Sequence, residues 1–218
     1  MNIIYLLFHG LSPYSGISKK ILHQVKGFEA CGHRVSLCTY SIADNGHRVR
    51  MINNEIIEDY GTGKPAAAKR RVSYQCIYRY AVTHQVELIY VRSFHNANPF
   101  TIRLFSKLRK AGIKIAMEIP TYPYDSEYAG FPLVTRLGIQ VDKVFRKTLA
   151  KHVNAIVTFS DYHCIFGQRT IQISNGVDFD SIPLKKTVAK NTSVIHLLGV
   201  YNPQIQISAE SETKRSIF

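Results

Sequence analysis

Residues 3–8, IIYLLF, are six apolar residues in a row. Such an unbroken run fits a strand buried on both faces, as in the interior of a parallel sheet. A strand of that kind needs helices on both sides, and the chain next supplies one. From Gly16, apolar residues recur at Ile17, Ile21, Leu22, Val25 and Phe28, the spacing of one helix face. Gly32 is the stop signal, and residues 34–40, RVSLCTY, read as a second strand. Strand, loop, helix, strand is the crossover unit of α/β folds.

The alternation continues. Residues 49–60 read as two short strands about an Asn53-Asn54 turn. Residues 66–85 read as helix, with 72–78 competing as strand, and LIYVR at 88–92 is a strand. Asn98-Pro99 supplies a cap and a first-turn proline for a helix to Lys110, and a strand at 113–119 follows Gly112. Residues 132–152 form a long basic amphipathic helix, expected to turn Leu133, Leu137, Val141, Val144 and Leu149 inward. Strands at 155–159 and 170–174 come next, with a short helix expected from Asp161 between them. Asn175-Gly176-Val177-Asp178 is a turn signal. The expected fold is α/β, a Rossmann-like, doubly wound, mostly parallel sheet. Its domain spans 1–180, a polar linker spans 181–192, and 193–218 holds an apolar strand at 194–200 and an irregular tail. A lone strand cannot bury both faces, so the expectation is a second domain cut short.

Composition narrows the partners. The 218 residues are 45% hydrophobic and 20% charged, enough for a real core, and the formal net charge is +13. That excess favours an anionic partner: a phosphorylated substrate, an acidic membrane face or nucleic acid. Nucleic acid is not expected, because no helix-turn-helix, zinc-finger or RNP-like motif is present. The four cysteines, at 31, 38, 76 and 164, form no CxxC and no His-paired metal spacing, so no metal is expected. Scattered cysteines suggest a reducing compartment. There is no signal-peptide pattern and no apolar stretch near the ~20 residues that span a bilayer. The expected location is cytoplasmic, with a peripheral position on the inner membrane face as the alternative.

The loop after the first strand, FHGLSPYSGISKK at 8–20, has three readings. A Walker A loop needs lysine directly after its second glycine, and Ile17 follows Gly16. A dinucleotide fingerprint needs G-x-G-x-x-G and an acid near the end of the second strand, where Tyr40 and Ser41 stand. What remains is a single glycine that lets a ligand approach a helix N-terminus, or a plain turn.

Further motifs appear in order: residues 28–35 (FEACGHRV), 88–92 (LIYVR), 118–125 (EIPTYPYD), 155–162 (AIVTFSDY) and 173–178 (ISNGVD). In this order and spacing, over about residues 1–200, the chain resembles GT-B glycosyltransferases of the family 4 type. The resemblance implies two Rossmann-like domains facing a cleft, with the acceptor held mainly by the first. A sugar passes from a nucleotide-sugar to an acceptor hydroxyl with retention, in polysaccharide or glycolipid assembly. The implied partners are a nucleotide-sugar and a glycan or lipid-linked acceptor, with an anionic membrane surface as a further candidate and no cofactor beyond the substrate. The family's E-x7-E donor motif is absent, so a complete donor site is not expected. The competing reading is a non-catalytic remnant or binding module of the same fold; a dehydrogenase-like nucleotide-binding domain is a third.

In an open parallel sheet, ligands sit at the carboxyl ends of the strands. That puts Ser15, Gly16, Arg92, His95, Tyr122, Asp125 and Ser160 on the cleft side as donor- or acceptor-binding candidates. No catalytic residue is assigned. Gly16 would offer backbone N–H groups, and Arg92 a fork for phosphate or carboxylate unless it serves in an ion pair. His95 would orient a hydroxyl or move a proton. Tyr122 would stack on a sugar or pack its own loop.

Overall fold

A computed structural model describes residues 1–92, 96–124 and 130–174, all within one compact unit. The expected linker, the strand at 194–200 and the turn at 175–178 lie outside the described residues. The elements run β1 (Asn2–Leu6), α1 (Gly16–Ala30), β2 (Arg34–Ile42), β3 (Arg48–Ile52), β4 (Glu55–Asp59), α2 (Gly63–Val72) and α3 (Gln75–Thr83). Then come β5 (Leu88–Arg92), α4 (Pro99–Lys110), β6 (Lys114–Ile119), α5 (Leu133–Ala150), β7 (Ala155–Thr158), β8 (Cys164–Ile165) and β9 (Gln168–Gln172).

The strand order is β4-β3-β2-β1-β5-β6-β7-β9-β8. From β2 to β9 neighbouring strands are parallel, while β3 and β4 extend one edge antiparallel and β8 folds back on β9. The chain thus winds outward from β1 in both directions, and the order reverses between β1 and β5. In a sheet of this kind that switch point opens a crevice at the carboxyl ends. The Rossmann-like α/β expectation holds at this level.

Local chemistry explains most boundaries. Asn53 and Asn54 both take positive φ, 49° and 71°, which makes the tight turn between β3 and β4. Asn98 caps α4 by accepting from the Phe100 and Thr101 N–H groups, with Pro99 in the first turn. The helix expected at 66–85 is two helices, broken at Ser73 and Tyr74, where the Tyr74 hydroxyl donates to the Arg71 carbonyl. The short helix expected from Asp161 is absent. Phe166 and Gly167, at φ 51° and 81°, instead turn β8 into β9.

The sheet's two faces divide β1 by alternation. Ile3, Tyr5 and Leu7 pack toward Ile21 of α1, while Ile4 and Leu6 join Ile77 of α3, Phe105 and Leu108 of α4, and Leu149 of α5. One expectation fails here. Of the five α5 residues expected inward only Leu149 is buried, and Leu133, Leu137, Val141 and Val144 are 69%, 57%, 46% and 71% exposed. The inward face is Ile139, Asp142, Phe145, Leu149 and Ala150. Periodicity locates a stripe but not the side that meets the sheet. Here Asp142 turns inward because it accepts from the Ala97 N–H at 2.9 Å and the Tyr124 hydroxyl at 3.1 Å. No described helix is long and apolar enough to cross a membrane.

Leu108→Ala, at a fully buried α4 position, should lower the unfolding free energy in urea by about 2–5 kcal/mol. Val144→Ala should change it by less than about 0.5 kcal/mol.

Candidate functional site

The loop from β1 to α1 begins by continuing along β2. Leu7 N–H donates to the Cys38 carbonyl at 2.8 Å, and Tyr40 N–H to the His9 carbonyl at 3.3 Å. The loop's two glycines then differ. A Cβ on Gly10 would stand 2.8 Å from the Tyr40 carbonyl oxygen, so this position excludes side chains. A Cβ on Gly16 would meet nothing within 4 Å. The fold therefore gives no packing reason for glycine at 16, and the space beside it is open. Ser15 is extended, at φ −90° and ψ 124°, and its side chain makes no cap bond; the first turn of α1 holds no acid. Ser18 Oγ instead accepts from the Ser12 N–H at 2.9 Å. Helix N–H groups free of a side-chain cap are suited to an anion.

Beside this loop lies a buried polar layer. Glu118 has no solvent exposure, and its carboxylate accepts three bonds: from Arg92 Nη1 at 2.5 Å, the Tyr90 hydroxyl at 2.8 Å and Gln24 Nε2 at 2.9 Å. Gln24 Oε1 in turn accepts from the Tyr5 hydroxyl at 2.6 Å. Burial, reinforced by Glu118, pushes both phenols above their ordinary range. Lys20 Nζ stands 3.5 Å from the Phe159 ring centre. Burial lowers its pKa, Glu118 opposes that shift, and Arg92 adds to it.

The loops after β6 and β7 meet at Ser160. Its Oγ accepts from the Tyr122 N–H at 3.0 Å, and its own N–H donates to Thr158 Oγ1 at 3.1 Å. The Tyr122 ring is 5.0 Å from that of Tyr162 and 5.5 Å from that of Phe166, in edge-to-face packing. Arg146 covers Phe166 at 4.8 Å. Tyr122 thus packs its own loop, and Arg92 serves in an ion pair. Ser15, Gly16, Arg92, Tyr122 and Ser160 all stand at the carboxyl end of the sheet, and Tyr122 and Ser160 are in contact. His95 and Asp125 lie outside the described residues.

No family model, curated protein or solved structure matches this chain. A groove of about 470 Å³ runs between α1 and the β2–β3 pair, with Leu11 of the β1–α1 loop in its wall. Its lining mixes apolar Val25 and Leu37 with Glu29, Thr39 and Asn54. Among the described residues no group of three His, Cys, Asp or Glu side chains could hold a metal ion.

Sequence reasoning passed over Glu118, Gln24 and Asp142 as site-building residues. One signal was present. LIYVR and KIAMEI carry opposite charges near their carboxyl ends, and parallel pairing sets Arg92 directly opposite Glu118. Removing one partner of such a pair should be costly, about 3–5 kcal/mol for Glu118→Leu or Arg92→Met alone. The double variant should lose well under the sum, as read by urea denaturation. Additive losses would show that the two groups do not act together.

Proposed function

We propose that this domain holds the acceptor side of a sugar-transfer reaction, as the acceptor half of a GT-B glycosyltransferase of the family 4 type does. One observation carries the reading. The described residues that sheet geometry puts on the cleft side lie at the carboxyl end of one parallel sheet, on both sides of its switch point, which is where an acceptor cleft of that family would lie. Two features agree with it. Gly16 faces open space at a bare helix N-terminus, where a ligand oxygen can meet backbone N–H groups. The neighbouring groove combines apolar patches with a carboxylate, a hydroxyl and amides, which suits the mixed faces of a saccharide. The sugar nucleotide and transfer itself belong to this proposal. A binding module of the same fold would use the same groove without transfer.

Saturation-transfer NMR on the full chain, with a panel of oligosaccharides and UDP- and GDP-sugars, tests the reading. At least one saccharide should receive saturation from the wild-type protein. Gly16→Leu should abolish that transfer while leaving the circular dichroism spectrum unchanged, because a Cβ at 16 meets no protein atom within 4 Å. Absence of transfer to every saccharide would end the proposal.

The second reading is where the domain works, and α5 favours an anionic membrane surface. Leu133, Leu137, Val141 and Val144 form an exposed apolar stripe, and Arg136 and Lys147 flank it in helical projection. An exposed apolar stripe beside basic residues is the pattern of a helix lying in a membrane interface. Arg146 takes no part, since it lies over Phe166. Vesicles of phosphatidylglycerol and phosphatidylcholine should sediment the wild-type protein at low salt, and added salt should weaken the association. Leu137→Asp should prevent it without loss of stability. No co-sedimentation at low salt would rule this reading out.

A further inference from the structure

On β3, Arg48 and Arg50 point to the same face by strand alternation, the face that α2 packs against. Arg50 is only 1% exposed. Its Nη1 donates to the Leu7 carbonyl at 2.7 Å, and its buried Nε has no hydrogen-bond partner. Arg70 of α2 lies with its Cζ 4.2 Å from the Tyr40 ring centre, and its buried Nε also lacks a partner. Arg48 Nη1 donates to the hydroxyl of that same Tyr40 at 2.7 Å. Three guanidinium groups thus gather around Tyr40 and the exit of β1, two with an orphaned donor inside the protein.

No described carboxylate pairs with them. Glu58, the register partner of Arg50 on β4, turns to Arg79 Nη2 at 3.6 Å. The groups beside Arg50 are two thiols and a phenol: burial pushes Cys38 up to about 12 and raises Cys76 and Tyr60 as well. Burial's own lowering of the Arg50 pKa is outweighed by Cys38, Tyr60 and Cys76, so that pKa is raised. Burial lowers the pKa of Arg70; Tyr40 opposes this, and Arg71, Arg48 and Arg50 add to it. A buried charged donor without a partner is costly, and guanidinium forks match phosphoryl oxygens. A dianion with three free oxygens suits three guanidinium groups that no described carboxylate pairs with better than a carboxylate, which brings one charge and two oxygens.

We propose that Arg48, Arg50 and Arg70 form a phosphate site at the exit of β1, taking inorganic phosphate or the phosphoryl group of a monoester from the side of the half-exposed Arg48 and Arg70. The site lies on the opposite face of the sheet from α1 and does not rest on the sugar-transfer reading.

Thermal unfolding of the full chain against inorganic phosphate, at constant ionic strength with chloride, tests it. The wild-type transition should rise saturably with phosphate. Arg70→Gln and Arg48→Gln, at partly buried positions and with folding checked by circular dichroism, should each raise the half-saturating concentration by about tenfold, the loss of one charge-assisted bond. Arg169→Gln, at an exposed position on β9, should match the wild type. No saturable rise in the wild type, or an unchanged response in both variants, would overturn the proposal. Displacement of phosphate by glucose 1-phosphate would point to a soluble ester, and displacement by phosphatidic acid vesicles to a lipid headgroup. Displacement by neither would overturn the extension to monoesters.

Discussion

The Glu118 carboxylate has no exposure to solvent, and three elements take their places from how it is satisfied. Arg92 and Tyr90 reach it from β5, and Gln24 from α1. A carboxylate buried without such donors would be far more costly than the hydrogen bonds that now surround it. The cluster also constrains pairing. Arg92 meets Glu118 only in the observed register of β5 and β6, and a slip of one residue would turn Glu118 toward the apolar core under α4. Hydrophobic burial drives the sheet together, but it discriminates weakly between neighbouring registers in strands that are apolar on both faces. A single ion pair at the carboxyl end supplies that discrimination, and it sits beside the point where the strand order reverses.

Asp142 does for the helices what Glu118 does for the strands. It accepts from the backbone just before α4 and from Tyr124 after β6, so α5 is fixed to two loops of the carboxyl end. The consequence appears on the far side of the helix. With Asp142 turned inward, the stripe from Leu133 to Val144 has to face outward. The exposed apolar surface on α5 is therefore tied to the way the carboxyl-end loops are anchored.

These two residues also mark how far the sequence could be read. The parallel strands were legible because runs such as IIYLLF and LIYVR are apolar at every position. The turn at Asn53-Asn54 and the cap at Asn98 were legible because each residue type has a specific backbone use. The orientation of α5 was not, since both of its faces carry apolar residues and a buried aspartate reads in sequence as a solvated one. The β8–β9 hairpin was missed because its turn uses Phe166 at positive φ, a residue with no turn preference. Position along the strands placed Ser15, Gly16, Arg92, Tyr122 and Ser160 at the carboxyl end of the sheet, where they are found. It could not show that Arg92 is held by Glu118, or that Ser160 bonds the Tyr122 backbone, because both depend on partners far away in the chain.

A net charge of +13 says little about where cations act, and burial sorts them into two kinds. Arg92 is buried and paired, so it serves mainly to complete the Glu118 cluster. Arg50 is buried without a carboxylate, next to Arg48 and Arg70. The first turn of α1 has no acid, and Lys20 stands nearby with its charged form disfavoured by burial. All of these groups lie at the carboxyl end of the sheet, where the buried acids Glu118 and Asp142 already have their partners. On one face the first turn of α1 lacks an acid, and on the other no described carboxylate pairs with Arg48, Arg50 or Arg70. The helix N-terminus of α1 and the arginine cluster thus share one imbalance: donors at the carboxyl end that no described carboxylate pairs with.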